Sequence, residues 1–457
     1  MDESIFCRRR LSRRDFLRRT ALGTAGFALA SSFLDFPGNP GWGMDKTSRV
    51  VIVTDEGASS GSSIATEVVQ AMMDRGIMEL TDETTVGRAW TSLFPGLTPS
   101  SRINIKVNCI NRYCSSHPEV ALAIAESLAQ MEVGEDNFSR NNIIIWDRTN
   151  GELTNAGYTR YTGSDPDTVR CFGTNQSGFG YDYDSPLIVQ GKTCYPSSIL
   201  TQHCDYLINL SVMKNHTISG VTFSLKNHFG SIHNPSALHG TSSAHCDPYV
   251  PELNQQISDQ LGGPQVLSIC DAIFGISSGG PHGYPQFTHN GLLLSQDPVA
   301  LDYQGMQILK DHNCMTTSMA THIATAASPA YHLGTNDPLQ MDVRHIVNPV
   351  TGVLEDGKVD HLPKQDQLGF AHPNPFNAHT IIPYHIRGQT IVPVQIDVFN
   401  IRGQRVRRLF DDVREPGDYR VIWDGRDQHG ASVASGVYLC RLNAAGREAN
   451  TKLSLVR

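Results

Sequence analysis

"RINIKVN" (Arg102–Asn108) and "NNIIIWD" (Asn141–Asp147) decide the fold. The first predicts a strand, and the second, with three Ile in a row, predicts a buried strand. Between them, "HPEVALAIAESLAQM" (117–131) has apolar residues at helical spacing, with Pro118 near its start. A strand, a helix and a strand in this order predict parallel strands with a helix packed on the sheet.

The same pattern continues on both sides of this unit. "RVVIVTD" (Arg49–Asp55) predicts another strand, and "SIATEVVQAMMDRGIMEL" (63–80) predicts the helix that follows it. Downstream, "CDYLINLSV" (204–212) and "GGPQVLSICDAI" (262–273) predict strands that end in polar residues. We therefore expect an α/β domain over residues 45–333, with a mostly parallel sheet flanked by helices.

The first 44 residues are predicted to be an export leader. "SRRDFLRR" (Ser12–Arg19) contains an Arg pair and precedes a weakly apolar segment rich in Ala and Gly. This arrangement resembles the twin-arginine signal, which sends proteins out already folded. It implies an export machinery as a partner and a location in the periplasm, at the cell surface or outside the cell.

Composition indicates a globular protein of two or three domains. The chain has 457 residues, of which 39% are hydrophobic and 18% charged. Residues 1–44 carry seven Arg and four acidic residues, so removing them takes the net charge from −8 to −11. An acidic protein without a basic stripe is poorly suited to bind nucleic acid, and we expect no nucleic-acid partner.

Ten cysteines are spread along the chain, and nine remain once Cys7 leaves with the leader. An odd number leaves at least one thiol unpaired or paired between chains. The nearest neighbours, Cys109 and Cys114, are too few to hold an iron–sulfur cluster. Scattered buried thiols are therefore expected.

A different sequence pattern begins near residue 362. "VPVQIDVFNIRGQRVRRLF" (392–410) and "SGVYLCRLNAAG" (435–446) are short alternating segments separated by turn residues. They predict an all-β module with sandwich character over residues 366–457. Residues 334–365 are predicted to be a linker.

Three short segments of this module resemble the immunoglobulin-like domain of flagellar hook-capping proteins. They are "HPNPFN" (372–377), "WDG" (Trp423–Gly425) and "SGVY" (Ser435–Tyr438). Similar modules end many secreted proteins of the Bacteroidetes, where they serve as type IX secretion sorting domains. The resemblance implies an immunoglobulin-like β-sandwich with Trp423 and Tyr438 in its core, and attachment to the cell envelope rather than catalysis.

The α/β region also resembles a known family. "GVTFSLKNHFG" (Gly220–Gly230) and "SQDPVALD" (Ser295–Asp302) are similar to segments of the family catalogued as domain of unknown function 362. The resemblance extends over about residues 49–333. Many members carry ferredoxin-type cysteine motifs, which this chain lacks. The resemblance implies the fold and the place of a site, and it names no reaction.

Polar residues at the carboxyl ends of the predicted strands indicate a binding site. In open α/β sheets, ligands bind outside these ends. The candidate substrate-binding residues are Lys106, Asn108, Asp147, Arg148, Lys214 and Asp271, with Asn227 from the adjoining segment.

That segment, Asn209–Cys246, contains five histidines and two Lys-Asn steps. One interpretation is an anion cradle, in which Lys214 and Lys226 supply charge and the amide of Asn227 donates hydrogen bonds to a carboxylate or phosphate.

The second interpretation is a metal site. His233, His239 and His245 would hold a divalent transition metal with one position left open. None of the intervals between the histidines places two imidazoles on one helix face, and the neighbouring lysines repel a cation. The third interpretation is an irregular loop whose polar groups only satisfy the backbone.

Two functional hypotheses follow. In the first, the chain is an enzyme acting on a small anionic substrate, with His216, His228 and Lys226 as candidate catalytic residues. Imidazole titrates near neutral pH, so His216 or His228 would move a proton. In the second, the chain is a surface protein that captures an anion or a metal without catalysis.

Overall fold

The computed structural model describes most of the chain after the leader. The described residues are 47–134, 136–241, 243–349, 367–368, 371, 376–377, 379–386, 390–415 and 417–456. The predicted leader, residues 1–44, and residues 350–365 of the predicted linker lie outside them.

The described residues up to 349 build a mixed sheet of nine strands. In chain order these are β1 (Ser48–Thr54), β2 (Ile103–Lys106), β3 (Ile143–Trp146), β4 (Arg170–Cys171), β5 (Tyr206–His216), β6 (Gly220–Thr222), β7 (Gln265–Ile276), β8 (Phe287–Ser295) and β9 (Met341–Val347). The order across the sheet is β9-β1-β8-β7-β5-β2-β3-β4, with β6 paired to β5. Only β8 and β6 run antiparallel to their neighbours, which confirms the prediction of a mostly parallel sheet.

Helices cover both faces of the sheet. They are α1 (Thr66–Thr81), α2 (Val86–Ser92), α3 (Pro118–Leu128), α4 (Asn150–Asn155), α5 (Ser198–Gln202), α6 (Ser224–Asn227), α7 (Tyr249–Leu261), α8 (Pro298–Asp311) and α9 (Thr321–Ala327). The 3₁₀ turns are Glu56–Ala58, Arg140–Asn142, His228–Ser231, Pro235–His239, Met315–Met319 and Pro338–Gln340. None of the helices in the described ranges combines the length and the apolar character needed to cross a bilayer.

The sheet separates two apolar cores, because alternate side chains of a strand point to opposite faces. In β3, Ile143 and Ile145 belong to the core that contains α1 and α3. Ile144 and Trp146 belong to the core that contains α7 and α8. The strand is therefore buried on both faces, as its continuous apolar run predicts.

Three segments differ from the sequence prediction. β5 continues past Val212 to His216, and β7 continues past Ile273 to Ile276. In β5, Lys214 and Asn215 are buried and hydrogen-bonded, so the apolar pattern stops before the strand does, whereas β7 continues through the residues Phe274–Ile276. Within the predicted linker, β9 pairs in parallel with β1 along its whole length. The α/β domain therefore extends to at least residue 347.

Asp302 connects α8 to α6. Its carboxylate is fully buried and accepts hydrogen bonds from the backbone N–H groups of Ser224 at 2.8 Å and Leu225 at 3.0 Å. These are the first two residues of α6, where N–H groups have no partner inside the helix. The contact therefore sets the position of the two residues that follow, Lys226 and Asn227.

The described part of residues 367–456 forms two antiparallel sheets. The strands are β10 (Gln367–Leu368), β11 (Thr380–Ile386), β12 (Val392–Asn400), β13 (Arg405–Arg414), β14 (Gly417–Trp423), β15 (Gly436–Ala444) and β16 (Arg447–Leu455). One sheet has the order β10-β11-β14 and the other β13-β12-β15-β16. Trp423 packs against Phe376 and Tyr438 in the core between them, with ring centroids 5.4 and 4.9 Å away. The predicted β-sandwich is confirmed.

Every cysteine in the described residues is a free thiol. Eight of the nine are buried, and Cys204 is half-buried. This agrees with the expectation of scattered buried thiols, each of which acts as a small apolar side chain.

We predict that Asp302→Ala destabilises the α/β domain by about 2–5 kcal/mol, because two buried N–H groups lose their acceptor. Urea unfolding followed by circular dichroism measures the change. Asp311→Ala, at the exposed end of the same helix, is the matched control and should shift stability by less than about 0.5 kcal/mol. Equal effects of the two substitutions would contradict the role given to Asp302.

Candidate functional site

A cavity of about 400 Å³ opens where β2, β3 and β5 end. The sequence-predicted residues that line it are Lys106, Asn108, Asp147, Arg148, His216, Lys226, Asn227 and His239. Lys214, His228, His233, His245 and Asp271, also predicted from the sequence, lie outside its lining. The cavity therefore lies at the predicted edge of the sheet but is lined by only part of the predicted set.

Lys106 and Asp147 form a buried ion pair in the cavity wall. Lys106 Nζ donates to Asp147 Oδ1 at 2.7 Å and to the carbonyl oxygen of Val107 at 2.7 Å. The other oxygen of Asp147 accepts from the backbone N–H of Cys109 at 2.6 Å. A Cβ atom on Gly230 would lie 2.7 Å from Lys106 Nζ, so only glycine leaves room for this pair. The charge of Asp147 is thus fully matched within the protein.

The side-chain amides predicted to donate to a ligand form hydrogen bonds with other residues of the protein instead. Lys214 Nζ donates to Asn108 Oδ1 at 2.8 Å, and Asn108 Nδ2 donates to Asn227 Oδ1 at 3.0 Å. Asn227 Nδ2 then donates to Asn209 Oδ1 at 2.7 Å. Burial lowers the pKa of Lys214 to about 8. The structure therefore corrects two predictions: Lys214 lies behind Asn108 rather than facing a ligand, and Asn227 positions its neighbours.

Lys226 lines the cavity and has no carboxylate partner among the described residues. Its Nζ lies 3.4 Å from His239 Nε2 and 4.3 Å from the centroid of the Phe229 ring. Across the described ranges, no Asp or Glu side chain forms an ion pair with it. Burial lowers the pKa of Lys226 to about 8. This ammonium group therefore carries a charge that the protein leaves unmatched.

His216 and His239 face the cavity as fixed and different tautomers. His216 Nδ1 accepts from the backbone N–H groups of Ile218 at 3.0 Å and Ser219 at 3.2 Å, so its proton lies on Nε2. His239 Nδ1 donates to the carbonyl oxygen of Pro235 at 3.0 Å, which leaves a lone pair on Nε2. The two rings stack with centroids 5.6 Å apart. One imidazole thus offers a donor and the other an acceptor.

Both imidazoles stay neutral in this environment. Burial lowers the pKa of His216 to about 2, with a further contribution from the charge of Lys226. Burial and the same lysine lower the pKa of His239. The expectation that His216 titrates near neutral pH is therefore not met, because burial and the nearby Lys226 disfavour a second positive charge.

Thr222 and Glu152 are among the cavity residues that sequence reasoning missed. Thr222 lines the cavity, and its Oγ1 is buried without a hydrogen-bond partner in the described part of the chain. It lies on β6, directly opposite Lys214 of β5, a pairing that only the strand register reveals. Glu152 also lines the cavity and forms an ion pair with Arg148. The spacing of four residues between these two on one helical turn was visible in the sequence.

His228, a predicted catalytic residue, is buried away from the cavity. Its Nε2 lies 2.8 Å from Gln265 Oε1 and its Nδ1 lies 3.2 Å from Ser231 Oγ. Burial lowers the pKa of His228 to about 4. The 3₁₀ turn that follows α6 directs this ring toward β7, where it satisfies core polar groups. His239, from the next turn, stands beside Lys226 instead.

The three predicted metal ligands do not come together. His233 Nδ1 accepts from the backbone N–H of Tyr195 at 2.9 Å, and His245 Nδ1 donates to the carbonyl oxygen of Ile218 at 3.0 Å. His239 contacts Lys226. A search of the described residues finds no group of three or more His, Cys, Asp or Glu side chains that could hold a metal ion. The residues present therefore do not fit the predicted metal centre.

Asp271, a predicted substrate-binding residue, lies in the middle of β7. Its Oδ2 accepts from the backbone N–H of His117 at 2.8 Å and lies 2.7 Å from His117 Nδ1. Burial disfavours protonation of His117, but the charge and hydrogen bond of Asp271 outweigh it and raise the pKa of the imidazole. This buried pair fixes the start of α3 and is a structural element.

We predict that His117→Leu lowers stability in a pH-dependent way. Because the folded-state pKa of His117 is raised, the stabilisation is complete below the unfolded value near 6.5 and is lost as pH rises through the folded value. Urea unfolding should show a deficit of about 1.5–3 kcal/mol at pH 5.5 and a smaller one at pH 9. His429→Leu, on the exposed surface, is the control; a deficit that does not change with pH would contradict the ion pair.

Several solved structures are similar to parts of this chain. PorU of Porphyromonas gingivalis, in its dimeric latent form, is 18% identical over 22% of this chain and 10% of that chain, with a TM-score of 0.18. PorZ of the same organism is 17% identical over 19% of this chain and 11% of that chain, with a TM-score of 0.14. A protein of Thermotoga maritima is 8% identical over 57% of this chain and 60% of that chain, with a TM-score of 0.32. The chain thus spans about a tenth of the length of PorU and PorZ.

Family models match both folded regions, whereas no curated protein matches the chain. The model of a domain of unknown function, DUF362, matches residues 103–307. This range includes β2, β3 and β5, whose ends form the cavity, and it includes Lys226. The model of the FlgD Ig-like domain matches residues 389–448. The chain therefore contains a DUF362 domain, which holds the cavity, followed by an FlgD Ig-like domain.

Proposed function

We propose that the cavity binds a small anion, a carboxylate or a phosphate, and that the chain is an enzyme acting on it. The observation that carries this proposal is the unmatched charge of Lys226. Three cationic side chains line the cavity, and two of them, Lys106 and Arg148, are paired with Asp147 and Glu152. The remaining ammonium group favours an anionic ligand, because a desolvated charge is costly until it is paired.

The other free groups of the wall also favour a ligand with acceptor oxygens. His216 presents an Nε2–H toward the cavity, and Thr222 has a hydroxyl group without a partner among the described residues. Together with Lys226, which has no carboxylate partner among the described residues, they form a set of donors that suits a charged oxygen. Hydrogen bonds between such groups and a charged oxygen are typically worth about 1.5–3 kcal/mol each.

The two imidazoles support catalysis over simple capture. A donor on His216 and a lone pair on His239 would let a proton leave one side of a bound molecule and arrive on the other. The alternative is a surface protein that captures an anion without changing it. Turnover of a bound anion separates the two, and absence of turnover with tight binding would favour capture.

We predict that Lys226→Met weakens anion binding about 10- to 100-fold, because the charge is lost while the apolar stem remains. Isothermal titration calorimetry with acetate, sulfate and inorganic phosphate measures this. Lys310→Met, which removes an exposed lysine from α8, is the matched control. Unchanged affinity in the Lys226 variant would remove the proposal.

The pH dependence of the same titrations provides a second test of the role of Lys226. Acetate and sulfate keep their charge between pH 6.5 and 9.5, whereas Lys226 loses its proton as pH rises through about 8. Affinity should therefore be nearly constant well below pH 8 and fall about thirtyfold from pH 6.5 to 9.5. Lys226→Met should abolish this dependence. If the variant keeps it, Lys214 or another group carries the charge.

We also propose that the chain is exported and attached to the cell envelope. The twin-Arg pair in the leader and the match to an FlgD Ig-like domain support this. The expected result is that replacing Arg13 and Arg14 together by Lys keeps the chain in the cytoplasm, as measured by cell fractionation. A variant with Arg18 and Arg19 replaced by Lys is the control and should be exported. Equal export of both variants would contradict the twin-arginine route.

A further inference from the structure

We propose that Lys226 forms an imine with a small carbonyl compound that carries an anionic group, such as an α-keto acid or an aldehyde phosphate. This inference rests on the proposed anion-binding function and names its substrate class. It follows from the position of Lys226 Nζ, which lines the cavity between the Phe229 ring and the lone pair of His239.

Of the three lysines at this edge, Lys226 is the one placed to act as a nucleophile. Lys106 Nζ donates to Asp147 and to the carbonyl oxygen of Val107, so it is engaged within the cavity wall. Lys214 donates to Asn108 and to the carbonyl oxygen of Cys114, and it lies outside the cavity lining. Desolvation without a carboxylate partner is the general way in which a lysine amine becomes reactive toward carbonyl groups.

The groups around Lys226 favour its neutral amine. His216 and His239 border it from β5 and from the 3₁₀ turn Pro235–His239, and both stay neutral. Lys214 on β5 adds a positive charge, whereas Cys246 is the opposing acidic group and burial raises its pKa. With a pKa of about 8 in place of 10.5, the free-amine fraction at pH 7.5 is about two hundred times larger than for an ordinary lysine.

The two histidines can manage the protons of imine formation. His239 Nε2 takes a proton from the Lys226 ammonium, and the amine lone pair forms the C–N bond to the carbonyl carbon. The C–O double bond becomes single, and the His216 Nε2–H stabilises the negative charge that develops on oxygen. The proton released by the attacking nitrogen ends on that oxygen, giving a carbinolamine.

The carbinolamine then loses its hydroxyl group. The proton held by His239 returns to that oxygen, the C–O bond breaks, and water leaves as the nitrogen lone pair forms the C=N bond. One ammonium group and one carbonyl compound thus give one protonated imine and one water, with no oxidant or reductant. The protonated imine keeps the positive charge of Lys226 beside the anionic group of the substrate, which would also accept from Thr222 of the wall.

Reductive trapping tests the proposal on the full chain. The protein is incubated at pH 7.5 with sodium cyanoborohydride and, separately, pyruvate, glyoxylate, glyceraldehyde 3-phosphate or neutral acetone. Intact mass spectrometry and peptide mapping then locate the adduct. We expect a single adduct on Lys226 with at least one anionic carbonyl compound, formed at least about tenfold faster than on Lys310.

Two variants keep the result interpretable. Lys226→Arg retains a cation and should still bind acetate or sulfate, but it should lose the adduct. His239→Gln should slow trapping about tenfold or more at pH 7.5 while labelling of Lys310 is unchanged. Circular dichroism of both variants confirms that they are folded.

The outcomes separate the two proposals. Three results would contradict the proposed imine with an anionic carbonyl compound. They are no adduct on Lys226, an adduct spread over exposed lysines, or equal trapping of acetone and the anionic compounds. If the calorimetric titrations still show binding that depends on Lys226, the anion-binding proposal survives that result. If neither binding nor trapping is found, both proposals are wrong.

Discussion

The removal of lysine side chains from water at one edge of the sheet is the constraint on which the site depends. Each desolvated ammonium group costs several kcal/mol unless the protein compensates it. Lys106 is compensated by a carboxylate and Lys214 by an amide and a carbonyl oxygen. Within the described part of the chain, Lys226 has an imidazole and the face of a ring beside it, and no carboxylate. The compensation is therefore weakest at the lysine that faces the cavity, and this difference gives the three lysines different roles.

Distant parts of the chain hold this lysine in place. A helix of a single turn, such as α6, has no stability of its own. Asp302 of α8 accepts from its first N–H groups, and Asn254 of α7 donates to the carbonyl oxygen of Leu225 at 2.7 Å. Because these contacts fix the first two residues of the turn, Lys226 is directed into the cavity before any ligand arrives. Such preorganisation lowers the cost of binding, since the ordering occurs during folding.

Much of the fold could be predicted from the sequence, and the misses share one cause. The continuous apolar runs of β1 and β3 mark strands buried on both faces, and the sequence predicts these strands and β2 with errors of one or two residues at the ends. β5 was cut short because Lys214 and Asn215 interrupt its apolar pattern, although both are buried. β9 carries polar residues because it is an edge strand of the sheet. A pattern of hydrophobicity cannot identify a strand whose polar residues are paired by other parts of the fold.

The sequence predicts the kinds of residue that gather at the site, but not which individual residues line the cavity. Lys, Asn and His near the strand ends indicated where polar groups gather. Which of them remain available depends on partners far away in sequence, such as His117 for Asp271 and Gln265 for His228. These pairings occupy polar side chains that cannot be distinguished from Lys226 by sequence alone. The groups available to a ligand at this edge are therefore those that do not already pair with other parts of the fold.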